Sequence, residues 1–103
     1  MDVTLEVSTT DYLGDLLLIK KSLSHMESLL GCYNGYVLSE PATNFGWTFF
    51  KIAFKANFQA AIEEKFGDMI GKYRWSNQSE KFGKFMTNFF NARGCNVKIK
   101  ILT

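Results

Sequence analysis

Three short segments of the chain alternate apolar and polar residues, and three longer ones repeat apolar residues every three or four positions. Val3, Leu5 and Val7 alternate with Thr4, Glu6 and Ser8, the period-two pattern of a strand with one buried face. WTFFKIAFK, from Trp47 to Lys55, separates in the same way: Thr48, Phe50, Ile52 and Phe54 share one face, and Trp47, Phe49, Lys51, Ala53 and Lys55 share the other. The first of these is the expected core face. At the end of the chain, CNVKIKILT directs Val97, Ile99 and Ile101 inward and Lys98 and Lys100 outward.

The helical pattern appears first between about Thr10 and Gly31. Leu16, Ile19, Leu23, Met26 and Leu30 form the stripe, and Lys20, Lys21, Ser24 and Glu27 take the wet side. A second helix is expected to be capped by Asn57, to carry Phe58, Ala61, Ile62, Lys65, Phe66, Met69 and Ile70 on one face, and to stop at Gly71. A third, starting near Ser79 and ending before Gly94, aligns Phe82, Phe85, Met86, Phe89 and Phe90. Between the first helix and WTFFKIAFK, Asn34-Gly35 is a tight-turn signal and Tyr36–Ser39 reads as a short strand. Pro41 interrupts the path, and Asn44-Phe45-Gly46 leads into the aromatic segment. Lys72–Gln78 is a polar link.

The order strand, helix, strand, strand, helix, helix, strand predicts an α+β two-layer sandwich, with a mainly antiparallel sheet and helices on one face. Two right-handed crossovers without long loops are satisfied by a ferredoxin-like split βαβ arrangement with an extra helix before the last strand. At 103 residues the chain is expected to form one domain, spanning 1–103.

Composition changes this picture in two respects. The net charge of +2 is too small to imply a nucleic-acid partner, but it is unevenly spread. Residues 1–50 hold two lysines and six acids, and residues 51–103 ten basic side chains and four acids, so the halves carry −4 and +6. The second feature is an aromatic load of ten Phe, four Tyr and two Trp. Helix or strand spacing assigns Phe50, Phe54, Phe58, Phe66, Phe82, Phe85 and Phe89 to the core, and Tyr33, Tyr36, Trp47, Phe49, Tyr73, Trp75 and Phe90 are among those in surplus.

No pattern specifies a reaction. His25 is the only histidine, Cys32 follows a helix C-terminus that disfavours a thiolate, and Cys95 opens the last strand. A triad of His25, a cysteine and Asp11 or Asp15 lacks any supporting spacing. Cys32 and Cys95 have no zinc-finger separation, Glu63 and Glu64 are adjacent on a helix, and Gly67, Gly71, Gly83 and Gly94 form no phosphate loop. The expectation is therefore a protein that is not an enzyme and needs no cofactor or metal. Asp2 and Glu6 replace the basic start of a secretory signal, and Leu16–Ile19 is too short to cross a bilayer. These features, with two cysteines that form no disulfide framework, predict a cytoplasmic protein without a membrane partner.

The surplus aromatics point to a non-catalytic protein-binding module, with Tyr33, Tyr36, Trp47, Phe49, Tyr73 and Trp75 as anchors and Lys72 and Arg74 on the rim. Self-association is one form of that activity, and an inhibitor or accessory factor of a phage or other mobile element is a setting that suits it. The alternative is a single-stranded nucleic-acid or RNA-binding protein using Trp47, Phe49, Lys51, Lys55, Lys98 and Lys100 on a sheet face. Against that alternative, the K-G-F-G-F pattern of RNA-recognition modules is absent. Glu6 is also expected to compensate Lys51, Lys98 or Lys100.

Overall fold

The computed structural model describes residues 3–74 and 77–102. Its elements run β1 (Thr4–Thr9), α1 (Tyr12–Leu30), β2 (Tyr36–Leu38), β3 (Ala42–Asn44), β4 (Trp47–Phe54), α2 (Ala56–Lys65), α3 (Gly67–Gly71), α4 (Gln78–Ala92) and β5 (Lys98–Leu102). The sheet order is β2-β4-β1-β5, β3 also pairs with β4, and all the pairings are antiparallel. This is an α+β fold of two layers, with helices packed on one face of the sheet.

Register explains why one face is dry. Leu5 lies opposite both Ile52 and Ile101, and Val7 opposite both Phe50 and Ile99, so the inward residues of three strands form continuous apolar rows. Against them pack Ile19, Leu23 and Met26 of α1, Phe58 and Ile62 of α2, and Phe82, Met86 and Phe90 of α4, all fully buried. Phe54 joins two helices to the sheet, stacked on Phe58 with ring centroids 6.0 Å apart and edge-on to Phe82 at 5.1 Å. Val97, Ile99 and Ile101 pack on this core but stay half-buried, because β5 is an edge strand. Gly83 lets α4 lie close to the sheet: a Cβ there would stand 2.3 Å from the Ile101 side chain.

The α1 boundaries follow from caps. The Asp11 carboxylate accepts from the Gly14 N–H at 3.3 Å, and Gly31 closes the helix in the left-handed conformation. Thr9 ties strand to helix, its hydroxyl donating to Asp15 and accepting from the Asp11 N–H at 2.9 Å. In α4, Asn77 is the cap, accepting from the Glu80 N–H at 2.9 Å while its own amide donates to the Glu80 carboxylate at 2.8 Å.

Several expectations need correction. The second helix is broken at Phe66 (φ −114°, ψ 22°), giving α2 and α3, and its N-cap position is Lys55. Asn57 instead accepts from the neighbouring Phe58 N–H. The break turns Met69 off the apolar stripe and leaves it 53% exposed. Glu27 is buried rather than wet, because its carboxylate accepts from the Gly35 N–H at 3.0 Å. Gln59 is likewise buried, accepting from the Val3 N–H at 2.8 Å. Phe90 belongs to the core and not to the surplus aromatics. The two-residue hairpin turn is Phe45-Gly46, between the paired Asn44 and Trp47. Asn34-Gly35 serves only in the α1–β2 connection, with Asn34 at φ 57°.

Both sheet edges resist further strand addition. In the outer strand, residues 39–41 stand opposite 50–51, a bulge between β2 and β3 that contains Pro41. Ser39 stitches it, donating its N–H to the Lys51 carbonyl at 2.9 Å and accepting the Lys51 N–H on Oγ at 2.7 Å. On the other edge, β5 presents Lys98 and Lys100, charges that discourage pairing with another chain. The surfaces left for recognition are the uncovered sheet face and the outside of the helical layer.

Candidate functional site

The uncovered face is a lattice that can be read from register. Its first row is Val37, Ala53, Thr4 and Leu102. The second places Glu6 between Lys51 and Lys100, and the third places Ser8 between Phe49 and Lys98, with Ala42 beyond Phe49. Trp47, two residues before Phe49 on β4, completes the face beside Asn44. Trp47 and Phe49 are half-buried, with no helix above them. The Lys98 ammonium lies 5.2 Å from the centroid of the Trp47 ring, a cation–π contact. Trp47, Phe49, Ser8 and Lys98 line one shallow depression of about 230 Å³, and Glu6, Phe49 and Lys51 line part of a second of about 440 Å³.

Glu6 is directly opposite Lys51 and Lys100, yet it forms no ion pair or hydrogen bond with a described residue. The expected pairing with lysine is thus present in register and absent in contact. All three charged heads remain available to a ligand.

Of the six residues of the nucleic-acid set, Trp47, Phe49, Lys51, Lys98 and Lys100 are gathered on this face. Lys55 lies beyond the end of β4, at the start of α2. The protein-binding set is divided. Trp47 and Phe49 are on the open sheet, Tyr33 is exposed in the α1–β2 connection, and Tyr36 faces the core with its ring 6.5 Å from Phe58. Burial, with Glu27 nearby, pushes the Tyr36 hydroxyl above its ordinary pKa, against a smaller opposing effect of Ser24. Lys72 and Arg74 are exposed after α3. Tyr73 packs on the helical layer and its hydroxyl accepts from the Asn88 amide at 2.6 Å. Trp75 lies outside the described residues.

The helical layer has an apolar groove of its own, about 420 Å³, between α1, α3 and α4. Leu29, Phe66, Met69, Phe85 and Phe89 line it, with Arg93 at the rim. The Arg93 guanidinium sits 3.5 Å from the Phe89 ring centroid and donates to the Phe89 carbonyl at 3.2 Å. Met69 was not legible as a surface residue, because it falls within the apolar stripe expected of the second helix, and Leu29, outside the α1 stripe, was not singled out. Phe45, exposed at the hairpin tip, was also missed, although Asn44-Phe45-Gly46 between two extended segments carries the signal of a turn.

Cys95 offers little nucleophilic character. Both cysteines are free; Cys32 is half-buried and Cys95 fully buried. Burial first, then the Asp15 charge, pushes the Cys95 thiol up to about 11, which keeps it protonated at neutral pH. Among the described residues no three of His, Cys, Asp and Glu gather where they could share a metal ion. No helix of the described residues is long and apolar enough to cross a membrane. The chain matches no family model, no curated protein and no solved structure in the comparisons made.

Proposed function

We propose that this protein is a ferredoxin-like split βαβ module that binds single-stranded nucleic acid on its uncovered sheet face and carries out no chemistry of its own. The topology supports the fold reading: α1 carries the chain from β1 past β4 to β2, and α2–α4 carry it from β4 past β1 to β5. The observation that carries the function is the company of Trp47 and Phe49. These two belong equally to the protein-binding and nucleic-acid sets, and the face they share holds Lys51, Lys98 and Lys100 around Glu6, not the tyrosines or Arg74. Aromatic rings lying on an open sheet accept stacked bases, and lysines at the next positions meet the phosphates between them. Two unpaired cysteines suit a reducing cytoplasmic setting.

The test is a titration of fluorescein-labelled mixed-sequence RNA and DNA decamers from low to moderate salt. Three lysines each neutralising one phosphate give a slope of log K against log salt of about −2. No binding of either strand at low salt would overturn the proposal.

A second reading, a protein-binding module, draws support from the groove of Leu29, Phe66, Met69, Phe85 and Phe89, since solvent-facing apolar side chains beside aromatic ones are the makings of an interface centre. Self-association through it would appear as a concentration-dependent mass in sedimentation, lost on Met69→Glu. A monomer at all concentrations would remove that form of the reading.

A further inference from the structure

The tip of the β3–β4 hairpin carries two costs that the fold does not recover. Phe45 is 95% exposed, the most exposed of the large apolar side chains among the described residues, and it makes no ring contact with a described residue. Its backbone is also left-handed, at φ 51°, followed by Gly46 at φ 80°. Positive φ at both central residues of a two-residue loop is the pattern of a type I′ turn, for which Asn, Asp or Gly is preferred at the first position. A bulky side chain at positive φ is disfavoured by its own Cβ. Neither packing nor turn geometry therefore selects phenylalanine at this position, and strain held at an exposed site points to contact with something outside the chain.

Phe45 adjoins the open face along the chain. Asn44 and Trp47 are the last paired residues of the hairpin, so Phe45 begins where the Trp47–Phe49 row of the open face ends. We infer that Phe45 is a third base-stacking residue, which receives an unpaired base of the bound strand beyond the one on Trp47. The inference rests on the nucleic-acid reading and extends its site off the sheet onto the hairpin tip. The turn fixes the backbone from which the ring projects in advance of binding, so little backbone freedom is lost when a base arrives.

Substitution separates the ring from the strain. Phe45→Asn supplies the residue that a type I′ turn prefers and removes the exposed ring. It is expected to raise Tm by a few degrees, about 2–5 °C, while weakening binding of a labelled RNA decamer about fivefold or more. Phe45→Ala keeps the positive φ on a non-glycine residue and removes the ring, so it should lose the same affinity without the gain in Tm. Phe45→Trp should retain binding. Wild-type binding that Phe45→Asn leaves unchanged would overturn the inference and leave the nucleic-acid reading intact. If the wild-type protein binds no single strand, the reading falls and this inference falls with it.

Discussion

Strand β4 contributes to two unlike surfaces with alternate residues. Phe50, Ile52 and Phe54 point into the helical layer and are fully or almost fully buried, whereas Trp47, Phe49 and Lys51 point to a face that no helix of the described residues covers. The residue types alone do not separate them, since both sets contain aromatic rings. What separates them is the neighbourhood created by register. The inward rings meet Leu5, Val7 and the phenylalanines of α2 and α4, so their removal leaves a void. The outward rings meet Ser8, Asn44 and lysines, so their removal exposes polar surface that water can fill. An aromatic ring is thus a stability determinant on one side of the strand and a recognition element on the other.

The contrast is broken most strongly from the covered side. Phe54→Ala is expected to cost about 3–5 kcal/mol, read by urea unfolding, because the ring bridges Phe58 and Phe82. A loss below about 1 kcal/mol would show that the core does not depend on this contact. Next in size is an alkaline effect belonging to Cys95. The thiol's folded pKa is raised to about 11, so the folded state holds its proton more tightly than the unfolded state does. Its stabilising contribution is complete below the unfolded pKa, near 9, and is lost as pH rises through 11. The expected loss is on the order of 2 kcal/mol, and Cys95→Ala should flatten that limb of the stability profile.

The open face should show the inverse pattern. Trp47→Ala is expected to change folding stability by about 1 kcal/mol, while weakening single-strand binding about fivefold or more. A stability loss matching that of Phe54→Ala would erase the distinction between the faces. The smallest effect belongs to Glu6→Gln. Removing an unpaired carboxylate from between Lys51 and Lys100 should tighten binding by at most about fivefold, with little change in Tm. Weaker binding of this variant would mean that Glu6 contacts the ligand directly.

Local patterns made much of the scaffold legible. Alternation in Val3–Ser8, Trp47–Phe54 and Val97–Ile101 named the inward residues of the three longest strands, and the three-and-four spacing of Phe82, Phe85, Met86 and Phe89 named the inner face of α4. Caps were less legible. Asn57 has a capping side chain, but Lys55 takes the cap position because the chain turns helical directly after β4. Glu27 was misplaced, and the burial of Gln59 not foreseen, for a related reason: each accepts from a backbone N–H outside its own helix, and a buried polar group needs a partner that periodicity along one helix cannot supply.

By itself, then, the sequence determined the apolar side of β1, β4, β5, α1 and α4, because side-chain direction follows from the local backbone repeat. It also supplied Trp47, Phe49, Lys51, Lys98 and Lys100 of the candidate face. Tertiary structure decided which of those residues are neighbours. Trp47 and Lys98 come from strands about fifty residues apart and meet because β1 lies between β4 and β5, an order set by crossover connections and by the global packing of helices. The same holds for Phe45: its letter was visible, but its solitude and its positive φ exist only once Asn44 pairs with Trp47 and the hairpin closes.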